Sequence, residues 1–170
     1  MVLLQSSMVP LGTPAPHFDL MGIDDARHSL ASYVSANALV VIFMCNHCPY
    51  VQKVWPELVA LHKRLPEGAA MLGINSNGAN ESYPEDSFEK MKEYAAARGQ
   101  QFDYLYDEDQ SVGKAYGAQC TPDIFVYGPE RKLEYRGAFE GVEPAVQAIV
   151  DGKKPAEQQV YSMGCSIKWN

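Results

Sequence analysis

The chain has 170 residues, with 14 basic and 21 acidic side chains and a formal net charge of −7. That length supports one domain with a full hydrophobic core. The acidic balance argues against nucleic acid or an anionic membrane surface as the main partner. No apolar run approaches the roughly 18 residues of a membrane span, and residues 1–10 lack the basic n-region of a secretory signal. A soluble, cytoplasmic protein is expected, whose four cysteines serve catalysis or metal binding rather than a structural disulfide framework.

Taken in order, the chain alternates strand and helix patterns. Residues 11–16 (L-G-T-P-A-P) form a stiff extended lead-in, and two short alternating segments around Gly22-Ile23-Asp24-Asp25 predict a β-hairpin. Residues 30–33 suit a short helical turn. Residues 38–44 (A-L-V-V-I-F-M) are apolar throughout and rich in β-branched side chains, the pattern of a buried strand. A helix follows to about residue 65, with Val51, Val54, Trp55, Leu58, Val59, Leu61 and Leu65 at helical spacing. Pro56 inside it is expected to produce a kink. A second strand over 69–75 is parallel to the first because of the helical crossover. Residues 76–85 suit a solvated loop that could also border a substrate groove. Then come a helix over 86–98, a strand over 102–106, a short helix over 110–116, a hairpin formed by 124–127 and 132–137, and a last helix over 142–151. The tail from 153 onward shows no periodicity. One domain over 1–170 is expected, with a core over 10–152 and the tail packed on it. The order predicts an α/β fold with a mixed central sheet and helices on both faces.

The chemistry concentrates at Cys45-Asn46-His47-Cys48. This C-x-x-C falls at a strand-to-helix turn, with Cys45 read as lying at the helix N-terminus, where free N–H groups and the helix dipole stabilise a thiolate. In an intracellular α/β chain it predicts a redox dithiol. The competing reading is a zinc or structural site, but zinc needs two more ligands, and Cys120 and Cys165 are not at ligand spacing. Asn46 and His47 are expected to tune the dithiol. A histidine beside the second cysteine favours the thiolate, making the couple more oxidising than the roughly −270 mV of thioredoxin. His17, His28 and His62 have no partner pattern, and Trp55 and Trp169 suit packing.

The lead-in G-T-P-A-P-H-F-D-L (12–20), F-M-C-N-H-C-P-Y (43–50) and C-T-P-D-I-F-V (120–126) resemble the alkyl-hydroperoxide-reductase/thiol-specific-antioxidant (AhpC/TSA, redoxin) family of thioredoxin-like proteins. The C-terminal S-M-G-C-S-I-K-W (162–169) resembles a subgroup under the same label. The resemblance implies a three-layer thioredoxin fold with an N-terminal β-hairpin extension. It implies an exposed nucleophile at Cys45 and a buried resolving thiol at Cys48. It also implies a cis Thr121–Pro122 peptide facing the dithiol, where the Thr121 backbone offers a strand edge to a substrate. Two departures stand out. Met44 replaces the usual aromatic residue, and the strand 38–44 carries no acidic residue. The base for Cys48 therefore lies among His47, a water and a carboxylate elsewhere in the chain.

The expected activity is thiol–disulfide exchange with protein or small-molecule disulfides, supported by a thiol electron donor and needing no cofactor or metal. The alternative is a thiol-dependent peroxidase. Laying the peroxiredoxin P-x-x-x-T-x-x-C on Cys48 puts Val41 at the proline and Cys45 at the threonine, so the hydroxyl donor is missing. A zinc or chaperone-like module is the third reading. Cys120 fits a small buried residue or a third redox cysteine, and Cys120 with Cys165 is a possible second redox pair tying the tail to the active face.

Overall fold

The structure, a computed structural model, describes residues 2–170; Met1, the first residue of the expected domain, lies outside them. Among the described residues, ten strands and four α-helices follow one another. The strands are β1 (Leu3–Gln5), β2 (Asp19–Gly22), β3 (Arg27–Ser29), β4 (Ala38–Phe43), β5 (Ala69–Asn75), β6 (Asp103–Tyr106), β7 (Cys120–Thr121), β8 (Asp123–Tyr127), β9 (Leu133–Arg136) and β10 (Met163–Ser166). The helices are α1 (Pro49–Lys63), α2 (Phe88–Ala97), α3 (Ser111–Tyr116) and α4 (Val142–Val150).

Seven strands form the main sheet in the order β3-β2-β6-β5-β4-β8-β9. β4 is central and buried along its whole length. It runs parallel to β5 and antiparallel to β8, and β6 joins β5 in parallel, so the sheet is mixed. The two-residue period of a strand divides β4 between two cores. Ala38, Val40 and Ile42 face α1, α2 and α4, while Leu39, Val41 and Phe43 face α3 and the lead-in. This is the three-layer thioredoxin-like arrangement, and the β2–β3 hairpin extends its β6 edge. The helix α1 runs continuously through Pro56 and buries Val51, Trp55, Leu58, Val59 and Leu61. Trp55 is fully buried, stands edge-on to Tyr104, and donates its indole N–H to Gln100 Oε1 at 2.8 Å. Full burial of one such side chain contributes about 1.5–3 kcal/mol.

Two features beyond this frame position the site. The tail is not patternless in space. β10 lies between β1 and β7, antiparallel to both, in a separate three-stranded sheet. Its sequence, Met-Gly-Cys-Ser, carries neither alternation nor β-branched residues; backbone pairing to distant partners makes it a strand. The second feature is an ion pair between Arg136 and Asp123, 2.9 Å apart, with both side chains at 0 % exposure. Arg136 lies over the Phe125 ring and donates to the Gly117 carbonyl at 2.9 Å, while Asp123 accepts from the Gln119 N–H at 3.0 Å. Together they fix the segment that carries Cys120, Thr121 and Pro122. Among the described residues no helix is long and apolar enough to cross a membrane.

Candidate active site

The turn between β4 and α1 delivers Cys45-Asn46-His47-Cys48. Pro49 opens the helix, where its missing N–H costs nothing and its fixed φ is already helical. The N-cap is therefore Cys48, not Cys45 as the sequence reading had it. Cys45 sits three residues earlier, and both residues are at 0 % exposure, so the exposed position expected of Cys45 is not found.

Across from the turn, the Thr121–Pro122 peptide is cis, and Thr121 touches both sulfurs. Its Oγ1 lies 3.4 Å from Cys45 Sγ, and its carbonyl oxygen lies 3.3 Å from Cys48 Sγ. The two thiols differ sharply. A hydrogen bond from the Cys45 thiol, helped by Cys165 and Thr121, outweighs burial and holds Cys48 down at about 4. Its place at the start of α1 acts in the same direction. Burial, the bond to Cys48 and the nearby Asp86 charge push Cys45 well above the ordinary thiol range.

Asp86 is the residue that sequence reasoning missed. It closes a 3-10 turn (Pro84–Asp86) ahead of α2, which starts at Phe88 rather than at residue 86 as the sequence pattern predicts, and it is fully buried. Its Oδ1 accepts the backbone N–H of Asn46 at 2.7 Å and of His47 at 2.9 Å, and its Oδ2 meets the His47 ring at Nδ1. Asn75 Nδ2 holds the Asp86 carbonyl at 2.7 Å. One carboxylate thus fixes the backbone of the C-x-x-C turn. The signal in the sequence was faint: an acidic residue in a run of polar residues, with nothing to mark it as folded inward. Asn46 is also fully buried. It accepts from Tyr104 Oη at 2.9 Å and donates to the Glu85 carbonyl at 2.9 Å, which makes it a positioning residue. His47 stacks on Tyr83, with ring centroids 4.9 Å apart.

The two remaining cysteines, a possible second pair from the sequence, each contact a different group. Cys165 Sγ lies 2.8 Å from Cys48 Sγ, whereas Cys120 Sγ faces the Pro122 carbonyl at 3.8 Å. Register accounts for this: β10 pairs Cys165 with Thr121 and Ser166 with Cys120. Burial pushes the Cys120 thiol up, as it does Cys165, which rises to about 12.

Donor atoms of Cys45, His47 and Asp86 lie within 4.8 Å of one another, a sulfur, a nitrogen and an oxygen at one point; Asp24, His28 and Asp103 form a second such group at the hairpin. An open cleft of about 330 Å³ runs past Pro122, between Tyr50 and Val54 of α1 and Met163 of the tail. A larger cleft, about 490 Å³, is lined by residues around the Gly128–Lys132 turn and by no cysteine.

Residues 11–136 match the family described as AhpC/TSA. The chain belongs to the AhpC/TSA family. Among solved structures, an uncharacterised conserved protein of Geobacillus kaustophilus is 42% identical, over 100% of this chain and 97% of that one, with a TM-score of 0.95. A hypothetical protein of Sinorhizobium meliloti is 38% identical, over 98% of each chain, with a TM-score of 0.94. The thioredoxin domain of a thiol-disulfide oxidoreductase from Bacteroides vulgatus shares the fold at 20% identity and a TM-score of 0.65, covering 82% of this chain and 99% of that one. No curated protein matches. For this AhpC/TSA protein, family and fold agree on a thiol-based redox function.

Proposed function

We propose that the protein is a thiol–disulfide oxidoreductase working through the Cys45–Cys48 dithiol. The observation that carries the reading is the pair of oppositely shifted sulfurs at the start of α1, both touched by Thr121 beside the cis proline. A thiolate held at Cys48 and a protonated thiol at Cys45 are the two states that a two-step exchange needs.

The Cys48 thiolate attacks one sulfur of a substrate disulfide. That S–S bond breaks, its electron pair leaves on the other sulfur, and a mixed disulfide remains on Cys48. Cys45 then loses its proton and attacks Cys48 Sγ. The second substrate sulfur departs, and the enzyme keeps the Cys45–Cys48 disulfide until a thiol donor reduces it. His47 and Asp86 stand within 4.8 Å of Cys45 and supply the proton acceptor that β4 lacks. Because both sulfurs are sealed at rest, a substrate strand reaches them by replacing β10 along Thr121. Protein or small-molecule disulfides are the substrates this reading assigns, and the cytoplasm is the compartment.

A second reading, thiol peroxidase, has one observation in its favour. Cys48 caps the helix, and Cys45, three residues before it, donates to Cys48 from the position where peroxiredoxins carry a threonine hydroxyl. The purified protein with dithiothreitol separates the two. Accelerated reduction of a protein disulfide, lost in Cys48→Ser, supports the oxidoreductase. Peroxide consumption without disulfide turnover replaces it with the peroxidase.

A further inference from the structure

The strand edge that Thr121 offers to a substrate is already occupied. β10 lies antiparallel on β7, with Cys165 opposite Thr121. Contact is so close that a Cβ on Gly164 would stand 2.0 Å from the Thr121 carbonyl oxygen, so only glycine lets the strand lie there. The tail is anchored at both ends. Ser6 and Ser162 exchange bonds of 3.0 and 3.1 Å, and the Lys168 N–H donates to Asn77 Oδ1 at 2.9 Å. This placement brings Cys165 Sγ to 2.8 Å from Cys48 Sγ, well inside van der Waals contact and longer than a covalent S–S bond of about 2.04 Å. Less than an ångström of motion joins them.

We propose that Cys165 is a third redox cysteine, presented to Cys48 by a C-terminal strand that occupies the place of a substrate segment on Thr121. This rests on the redox reading of Cys48 above. Starting from the Cys45–Cys48 disulfide, the Cys165 sulfur attacks Cys48 Sγ. The Cys48–Cys165 bond forms and the Cys45–Cys48 bond breaks. The electron pair leaves on Cys45, which takes up the proton that Cys165 gives up. Two thiols' worth of oxidation is conserved, and no outside oxidant enters. The hub position of Cys48 makes this possible, since it touches both partners. The product ties the tail to the start of α1 across 117 positions of sequence and closes the Thr121 edge to other strands.

The test is disulfide mapping by mass spectrometry on the full chain, equilibrated in a glutathione buffer, alkylated under acid and digested. Wild type is expected to yield a Cys48–Cys165 linked peptide beside the Cys45–Cys48 one. In Cys45→Ser the Cys48–Cys165 link should become the dominant species, and in Cys165→Ser it should disappear. A Cys45–Cys48 link alone in wild type, with glutathione rather than Cys165 on Cys48 in Cys45→Ser, overturns the proposal and leaves the dithiol reading intact. A Cys48–Cys165 link without any Cys45–Cys48 link upholds the third cysteine and counts against the dithiol. No link at Cys48 in any sample overturns both. The wild-type sample carries the decision even where a variant fails to fold.

Discussion

At the scale of single residues, the site depends on charge placed beside sulfur. The Cys48 thiolate is held near pH 4 by donors around it, so its ultraviolet thiolate absorbance should titrate at about 4 and vanish in Cys48→Ser. An ordinary thiol midpoint near 8.5 would remove the electrostatic account. The same shift has a stability consequence. A group whose folded pKa is depressed contributes stability that is complete above its unfolded pKa and is lost as pH falls through the folded value. The reduced wild type should therefore gain stability over Cys48→Ser from about pH 4 up to about pH 9, as read by urea unfolding at a series of pH values. A constant difference would contradict it. Asp86→Asn tests the other partner. It keeps an acceptor for the Asn46 and His47 N–H groups but removes the charge that raises Cys45. The Cys45 pKa should fall, while the second, resolving step slows because the carboxylate that completes the His47–Asp86 proton acceptor is gone. Accumulated mixed disulfide on Cys48, seen by mass, is the readout, and unchanged resolution at all pH values would exclude Asp86 from the proton path.

At the scale of elements, two pieces hold the active face together, the buried Asp123–Arg136 pair and the strand β10. Removing one member of a buried ion pair strands the other charge, so Arg136→Met should destabilise by about 3–5 kcal/mol in urea unfolding. Asp123→Leu combined with Arg136→Met should cost less than the two single changes added together, since no lone charge remains; an additive penalty would show that the two side chains are not coupled. For β10, Gly164→Ala sets a methyl group against the Thr121 backbone, which has no flexible end to give way. The strand should lift from β7, at a cost of about 1–3 kcal/mol, and iodoacetamide should label Cys48 faster in the reduced protein. Labelling at the wild-type rate would mean that β10 does not guard the sulfurs.

These elements also mark what could be read in the sequence. β4, α1, β5 and the β8–β9 hairpin were legible because burial on one or both faces imposes a period on their residues, and Gly or Pro marks their ends. The C-x-x-C and the T-P dipeptide were legible because their chemistry is local. The start of α1 was misplaced by three residues. Helix-like spacing begins at Val51, and only the N1 preference of Pro49 pointed to Cys48 as the cap. β1, β7 and β10 are two to four residues long and owe their form to pairing between residues more than 40 positions apart, which no local pattern records. The contact of Cys165 with Cys48 was missed for that reason, since register alone decides it.

For the whole molecule, the fold brings one turn, one loop and one distant strand to a single point. The parallel β4–β5 pair sets the C-x-x-C turn beside the 3-10 turn that carries Asp86, and the segment leading from β7 into the antiparallel β8 presents Thr121 and Pro122 from the other side. The tail then closes the site from above, and the resting molecule buries every sulfur it would use. The account rests on Cys48 belonging to a reversible two-electron couple. Equilibration across a dithiothreitol or glutathione series, with free thiols counted at each point, tests that most directly. Two thiols should be lost cooperatively along a slope of about 30 mV per decade, with no such transition in Cys48→Ser. Thiols that stay reduced across the series, or a transition that survives Cys48→Ser, would contradict it.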